Sequence, residues 1–173
     1  MSWFTTLLIK DESIVIDSRL YDDDYMFEHW NKDNPDYDFK RRSDRANLLP
    51  IDRQPALYIV GRKGDRIVAY AGLIDDGSHY KCAGARVHPD FRQGGTFGRL
   101  MDARNDKIGS KPAIVFLNTQ SMPIETFISK IERYGWETRD FDVSKVNNPD
   151  LKKVAQQYLE AYGNFLVYND GAI

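Results

Sequence analysis

The chain has 173 residues, a length that suits one domain with a complete hydrophobic core, and we expect residues 1–173 to form a single domain. Its hydrophobic content of 42% and aromatic content of 13% argue against a disordered protein, and its net charge of -2 gives no overall preference for nucleic acid or an anionic membrane. No apolar run approaches the roughly 18 residues that a transmembrane helix needs.

The start of the chain and its cysteine usage predict a compartment. The first residues, M-S-W-F-T-T-L-L-I-K, have neither a basic leader nor a small-residue cleavage pattern, so we expect no secretory signal. Cys82 is the single cysteine, which excludes an intrachain disulfide and is typical of a reducing environment. These features predict a cytoplasmic protein without a membrane partner.

The first half of the chain predicts strands around one helix. Its predicted elements, in chain order, are extended segments at Trp3–Ile9 and Ser13–Ile16, a helix at Asp22–Asn31, a loop over residues 31–55, and antiparallel strands at Ala56–Arg62 and Ile67–Ile74. Three aspartates suit the positive N-terminal end of the helix. The turn Lys63-Gly64-Asp65 joins the two strands.

The second half alternates strands and helices. Its predicted elements are a strand at Tyr80–Val87, a helix at Phe97–Ile108, a strand at Ala113–Leu117, a helix at Ile124–Tyr134, a strand at Trp136–Val143, a helix at Asn148–Ala161 and a strand at Asn164–Tyr168. Gly135 is expected to end the second of these helices in a left-handed conformation. Together the two halves predict the α/β (α+β) class, with an additional C-terminal helix before the last strand.

The most informative segment is Val87–Leu100, which reads V-H-P-D-F-R-Q-G-G-T-F-G-R-L. It lies between a predicted strand and a predicted helix. A strand, a glycine-rich turn and a helix in this order direct main-chain N–H groups and the positive helix end toward a bound phosphate. Gly94 and Gly95 allow the main chain to approach a ligand without an intervening Cβ atom. The segment therefore predicts a site for a phosphorylated ligand.

The run V-H-P-D-F-R at Val87–Arg92, followed by Gly95, resembles the signature of the GNAT superfamily of N-acyltransferases. In that family a strand of this kind precedes Arg/Gln-x-x-Gly-x-Gly/Ala. The resemblance extends over about residues 57–136. It implies a mixed, mostly antiparallel central sheet flanked by helices. One position departs from the pattern, because Phe97 stands at the second small position and Gly98 follows one residue later.

The resemblance also implies a co-substrate and the residues that bind it. The acyl group would come from acetyl-CoA or another acyl-CoA, without a metal. Main-chain groups near Ala85, Arg86 and Val87 would pair with the pantetheine arm and polarise the thioester carbonyl. Asn118 matches a polar residue that contacts the cofactor in the family, although a turn after the strand is an equal alternative. The implied cofactor-binding residues are Ala85, Val87, Arg92, Gln93, Gly94, Gly95, Thr96, Phe97, Gly98 and Asn118.

Two residues are candidates for proton transfer. Glu28 lies on the first predicted helix, which lines the acceptor groove in the family, and family members often use a Glu as general base. Gly135–Trp136 matches the family's Gly-Phe landmark. The tyrosine that acts as general acid usually lies about one helical turn before that glycine, a position that Ile131 occupies here. Tyr134 is the tyrosine beside the landmark, although it points elsewhere on the helix.

Further charged groups allow more than one interpretation. Asp75 and Asp76 could attract a cationic amine or could form a polar turn, which we favour. The segment Lys40–Arg45, with Arg53, Arg62 and Arg66, could bind phosphate or nucleic acid, whereas nearby aspartates favour internal ion pairs. Three scattered histidines and one cysteine have no zinc-ligand spacing, so we expect no metal.

Three hypotheses about function remain. The first is an acyl-CoA-dependent N-acyltransferase that acetylates an amine of a small molecule or a protein. The second is a catalytically silent protein with the same fold, used for binding, homo-oligomer formation or a larger assembly, which Phe97 and Ile131 favour. The third is an enzyme of this fold that acts on nucleic acid through Lys40–Arg45, which we do not favour.

Overall fold

The computed structural model describes residues 13–118 and 122–171. Within these residues the elements are β1 (Ile14–Asp22), α1 (Asp23–Asp33), β2 (Leu57–Lys63), β3 (Arg66–Asp75), β4 (Tyr80–Val87), α2 (Thr96–Ile108), β5 (Ala113–Val115), α3 (Ile124–Glu132), α4 (Pro149–Tyr162) and β6 (Leu166–Tyr168). The predicted extended segment Trp3–Ile9 lies outside the described residues. No helix in the described part of the chain has the length and apolar character that crossing a membrane requires.

The six strands form one sheet in the order β1-β2-β3-β4-β5-β6. The pairs β1–β2, β2–β3 and β5–β6 are antiparallel, and β4 pairs with β5 in parallel. A parallel pair needs a crossover connection, and α2 supplies it. This arrangement confirms the predicted α/β class with a mostly antiparallel sheet, and α4 is the expected helix before the last strand.

Local signals place the ends of two helices. Asp22 caps α1, since its carboxylate accepts a hydrogen bond of 2.8 Å from the N–H of Tyr25. The amide oxygen of Asn148 caps α4 by accepting from the N–H groups of Asp150 and Leu151. Gly163 ends α4 in the left-handed conformation, with φ +75°. The predictions of both helices are confirmed.

The described residues divide into two compact units, with residues 13–73 and 83–104 in the first and residues 74–82, 105–118 and 122–171 in the second. The first unit has a core of apolar and aromatic residues that includes Met26, Trp30, Tyr58, Ile67 and Leu100. The second unit has a core that includes Ile114, Trp136, Leu151, Tyr158 and Phe165. The single domain that the length predicts stays a prediction.

The predicted strand Trp136–Val143 is wrong. Only Glu137 pairs with the sheet, opposite Val167, and short 3₁₀ turns follow at Arg139–Phe141 and Val143–Lys145. The three residues of the first turn have φ values of +51°, +56° and +53°, which no strand contains. The hydroxyl of Thr138 accepts from the N–H of Asp140, and such local bonds compete with strand pairing.

Two element ends also differ from the predictions. Gly135 is left-handed, with φ +100°, but α3 already ends at Glu132 and a short turn separates the two residues. Strand β5 ends at Val115 rather than Leu117, because the side chain of Asn164 takes the place of a neighbouring strand. It accepts from the N–H of Leu117 at 2.7 Å and donates to the carbonyl of Leu117 at 2.8 Å.

Candidate functional site

The connection from β4 to α2 is held in place by its own side chains. We call residues 88–98 the glycine loop. The N–H of His88 donates to the carbonyl of Val68 at 2.8 Å, and Nδ1 of His88 accepts from the N–H of Asp90 at 3.1 Å. Nε of Arg92 donates to the carbonyl of Val87 at 2.9 Å. These bonds fix the first half of the loop and occupy the Val87 carbonyl.

The second half of the glycine loop leaves its main-chain donors available. Gln93 and Gly95 have φ values of +70° and +80°, so the chain turns sharply before α2 begins at Thr96. The main-chain N–H groups of Gly94, Gly95, Thr96 and Gly98 donate no hydrogen bond to an acceptor within residues 13–118 and 122–171. As far as the described residues are concerned, these four groups are available to a ligand.

Thr96 adds a side-chain donor to the loop. The residue is 2% exposed, and its Oγ1 is buried without a hydrogen-bond partner in the described part of the chain. The first turns of α1, α3 and α4 contain an acidic residue, whereas that of α2 contains none. The positive end of α2 is thus not neutralised by a carboxylate of its own first turn.

The remaining predicted cofactor-binding residues have different environments. Ala85 in β4 and Phe97 in the first turn of α2 are half-buried, and Arg92 and Gln93 are exposed. Phe97 and Gly98 are the second and third residues of α2. Asn118 is exposed and follows β5, in the second unit. Its proposed contact with a cofactor stays a prediction.

The two candidates for proton transfer lie in different units. Glu28 is exposed on α1, on the face opposite to the buried Met26 and Trp30. Tyr134 is half-buried just after α3, and its carbonyl accepts from the side chain of Asn105 at 3.2 Å. Ile131, which stands at the family's tyrosine position, is buried. The roles of Glu28 and Tyr134 stay predictions.

The first unit contains a cavity of about 580 Å³ that the sequence did not predict. Its lining includes Phe39, Arg45, Tyr58, Tyr70, Gly84 and Arg86. Gly84 lies inside β4 with φ +84°, and a Cβ atom there would meet nothing within 4 Å. An isolated glycine within a strand pattern was the available signal for a local irregularity at this position. Nothing comparable in the sequence marked the aromatic residues of the lining.

The two tyrosines of the cavity remain protonated. Burial raises the pKa of Tyr58, and the carboxylate of Asp23, which accepts from its hydroxyl at 2.7 Å, acts in the same direction. Burial also raises the pKa of Tyr70, although the charges of Arg86 and Arg45 and a hydrogen bond from Arg86 oppose this. Both phenols are therefore hydrogen-bond donors at neutral pH, and Tyr58 already donates its proton to Asp23.

The basic residues that the sequence singled out are mostly paired within the protein. The guanidinium of Arg41 pairs with Asp24, and that of Arg62 pairs with Asp17 at 3.3 Å. Buried Arg42 donates to the carbonyl of Asp52 at 2.7 Å. The internal alternative thus accounts for much of the basic segment, while Lys40 and Arg45 line the cavity.

The acidic pair at the end of β3 is also engaged. Asp75 accepts from the N–H of Gly77 at 2.9 Å and pairs with Lys111 at 3.0 Å. Asp76 pairs with the buried Lys81 at 2.9 Å. This geometry supports the polar-turn interpretation. In the described part of the chain, no group of three or more His, Cys, Asp or Glu residues could hold a metal ion.

A second cavity, of about 700 Å³, lies in the second unit beside the two 3₁₀ turns. Four charged residues of its lining form ion pairs within the unit. Arg139 pairs with Glu137 at 2.9 Å and with the buried Asp170 at 3.3 Å, and Lys145 pairs with Asp140 at 2.6 Å. Because these ion pairs compensate the charges of Arg139 and Lys145 within the protein, this cavity is a weaker candidate for a ligand site than the cavity of the first unit.

Comparison with solved structures finds similar folds at low sequence identity. A GNAT-family protein from Bacteroides thetaiotaomicron is 14% identical over 66% of this chain and 64% of its own, with a TM-score of 0.44. The ribosomal-protein-S18-alanine N-acetyltransferase from Escherichia coli is 12% identical over 69% and 79%, with a TM-score of 0.47. The structure resembles those of GNAT-family acetyltransferases.

A third similar structure is the PaiA N-acetyltransferase from Thermoplasma acidophilum in complex with coenzyme A. It is 8% identical over 86% of this chain and 97% of its own, with a TM-score of 0.43. The chain spans 64% of the length of the Bacteroides protein. No protein-family model matches the sequence, and no curated protein matches it.

Proposed function

We propose that this protein is an acyl-CoA-dependent N-acyltransferase that transfers an acetyl group to an amine. The observation that carries the proposal is the set of donors at the start of α2. The four main-chain N–H groups of Gly94, Gly95, Thr96 and Gly98 have no acceptor within residues 13–118 and 122–171, and neither does the buried hydroxyl of Thr96.

These donors fit the pyrophosphate of coenzyme A. Leaving a buried hydroxyl unsatisfied costs about 1–3 kcal/mol, and a phosphate oxygen would supply the missing acceptor. Successive main-chain N–H groups at a helix start form a common anion-binding arrangement. The left-handed Gly95 makes this arrangement possible, because its φ of +80° is unfavourable for residues with a Cβ atom.

Other residues of the chain would hold and activate the reactants. When bound, acetyl-CoA supplies a thioester whose carbonyl carbon bonds to the amine nitrogen as the carbon–sulfur bond breaks. Main-chain groups of Ala85 and Val87, with Asn118, would position the pantetheine arm. We retain Glu28 as the candidate base for the amine proton and Tyr134 as the candidate acid for the thiolate.

The acceptor on this proposal is an amine of a small molecule or a protein. We also propose a cytoplasmic location, because the single buried Cys82 suits a reducing compartment. Self-association and binding to nucleic acid would be additional properties. The free N–H donors at the start of α2 do not imply either of them.

The substitution Gly95→Val tests the proposal. A β-branched residue at φ +80° is strained, and its side chain would lie where the main chain must approach the pyrophosphate. We expect wild-type protein to bind coenzyme A in calorimetric titration and Gly95→Val to lose that binding. Circular dichroism should confirm that the variant remains folded.

Gly64→Val is the matched control, since Gly64 has φ +60° but lies in the turn between β2 and β3. It should suffer similar strain and keep its affinity for coenzyme A. Unchanged affinity in Gly95→Val would mean that the phosphate site is elsewhere. A wild-type protein that fails to bind millimolar coenzyme A would contradict the proposal and favour a binding or assembly role.

A further inference from the structure

We infer that the acceptor is a small amine that also carries an anionic group, a carboxylate or a phosphate, which Arg45 and Arg86 bind in the cavity of the first unit. The inference rests on the proposed function, because it names the substrate class that such an enzyme would use. Both guanidinium groups line the cavity, together with Tyr70.

Arg86 is anchored by groups that leave its charge uncompensated. Its Nη1 donates to the main-chain carbonyl of Asp38 at 3.3 Å, and its guanidinium lies 5.3 Å from the centre of the Tyr37 ring. Its positive charge also acts on the phenol of Tyr70, which lines the same cavity. Within residues 13–118 and 122–171, no carboxylate pairs with this half-buried side chain.

Arg45 is in the same situation. It is half-buried, its charge acts on Tyr70, and it forms no ion pair in the described part of the chain. Asp38 and Asp44 also line the cavity, but both are exposed and neither carboxylate pairs with Arg45 or Arg86. Arg41 and Arg62 of the same unit, by contrast, each have a carboxylate partner.

The energetics favour an anion at this place. A partly desolvated cation is unfavourable until an opposite charge compensates it. Guanidinium groups bind carboxylate and phosphate through paired, charge-assisted hydrogen bonds, which makes these anions the matching ligands.

Tyr70 completes the proposed anion site. Its ring is held by edge contacts with Trp30, Phe39 and Tyr58 at centroid distances of 5.0 to 5.7 Å. Burial raises the pKa of its phenol, so the hydroxyl keeps its proton at neutral pH and can donate it to an acceptor in the cavity. An oxygen of the bound anion would be that acceptor.

The cavity has the size and position of a site for a small acceptor. Its volume of about 580 Å³ lies within the range of small-molecule sites. Gly84 and Arg86 of β4 line it, and the glycine loop begins two residues after Arg86. The same strand of the first unit therefore connects the proposed acceptor site to the proposed phosphate site.

Titration calorimetry with pairs of amines tests the inference. Phosphoethanolamine is compared with ethanolamine, and β-alanine with β-alaninamide, so that each pair differs in the anionic group. We expect at least one anionic amine to bind about tenfold more tightly than its partner, and Arg45→Gln and Arg86→Gln each to remove most of that preference. Tighter binding of phosphoethanolamine than of ethanolamine indicates a phosphate site, and tighter binding of β-alanine than of β-alaninamide indicates a carboxylate site.

Arg133→Gln removes the same charge from an exposed position in the second unit and should change nothing. Lysine substitutions at positions 45 and 86 keep the charge and should retain part of the preference, which separates loss of binding from loss of folding. Equal binding within both pairs, or a preference that survives both glutamine variants, would overturn the inference.

A separate titration of the cavity variants with coenzyme A distinguishes the two proposals. Arg45→Gln and Arg86→Gln should bind coenzyme A as the wild type does. If coenzyme A binds but anionic amines are not preferred, the inference on the acceptor fails and the proposed function stands. If anionic amines are preferred but coenzyme A does not bind, the proposed function fails while the anion site stands.

Discussion

Tyr58 forms part of the wall of the cavity in the first unit. It is 1% exposed, its hydroxyl donates to Asp23 at 2.7 Å, and its ring meets the edges of Phe39 and Tyr70. These contacts hold both ends of the side chain. Gly72 faces the ring directly, so the position of Tyr58 depends on the absence of a side chain there.

Gly72→Ala should destabilise the protein. A Cβ atom at Gly72 would lie 2.6 Å from Cε1 of Tyr58 and 2.9 Å from the carbonyl oxygen of Ala83. Because the hydroxyl bond prevents Tyr58 from moving away, we expect the free energy of unfolding to fall by about 2 kcal/mol. Urea denaturation followed by tryptophan fluorescence measures this change.

Gly61→Ala is a suitable control for Gly72→Ala. The nearest atom to its added Cβ would be the methyl of Ala69, at 3.2 Å, which is a milder approach. We expect a loss below about 1 kcal/mol. A Gly72→Ala protein as stable as the wild type would mean that Tyr58 can move, and the cavity wall would not be rigid.

At the scale of elements, β1 contains an irregularity that one carboxylate organises. The pairing of β1 with β2 shifts register between Asp17 and Tyr21. The carboxylate of Asp17 accepts from the N–H of Arg19 at 3.1 Å and from the hydroxyl of Tyr21, and it pairs with Arg62 at 3.3 Å. Asp17 thus links the shifted part of β1 to the neighbouring strand β2.

This carboxylate predicts a loss of stability in acid. The side chain of Arg19, assisted by Tyr21 and Arg62, holds the pKa of Asp17 well below its usual range, although burial acts in the opposite direction. The unfolded chain therefore binds a proton near pH 4 that the folded protein does not bind. The stabilisation is complete above that pH and is lost as the pH falls below it.

Asp17→Asn should lower the free energy of unfolding by about 1 kcal/mol at neutral pH and weaken its decline between pH 5 and pH 2. Denaturation at a series of pH values measures both effects. Asp36→Asn, which removes an exposed loop carboxylate, is the control and should retain the wild-type decline. An unchanged decline in Asp17→Asn would show that other carboxylates govern acid unfolding.

At the scale of the whole molecule, the boundaries between the two units fall inside secondary structure. They lie after Leu73 in β3, after Cys82 in β4 and after Arg104 in α2. Independent domains are usually joined by exposed linkers, and no such linker separates these units. The single domain expected from the chain length stays a prediction.

Differential scanning calorimetry tests that expectation. We expect one transition whose calorimetric enthalpy equals its van 't Hoff enthalpy. Strands β3 and β4 have residues in both units, so unfolding of one unit would also break interstrand hydrogen bonds in the other. Two transitions, or a calorimetric enthalpy well above the van 't Hoff value, would contradict a single cooperative domain.

Prediction from sequence succeeds here where the controlling interactions are local. The predicted helices Asp22–Asn31 and Asn148–Ala161 and the predicted strand Tyr80–Val87 agree with the structure, because side chains within a few residues satisfy the helix ends and set the strand pattern. Prediction fails at Trp136–Val143, where apolar residues suggest a strand but Trp136 is buried by packing against Tyr168 while the chain beyond it turns.

Turn residues and hydrophobic periodicity act over a few positions, so the sequence alone predicts the glycine-rich connection between β4 and α2 and the other described elements, apart from the strand Trp136–Val143. Only the folded structure shows that Arg45, Tyr58, Tyr70 and Arg86 line one cavity. It also shows that Arg41 and Arg62 form ion pairs with carboxylates, whereas Arg45 and Arg86 form none with the described residues. The physical reason is that charge compensation and cavity shape depend on which distant segments pack together.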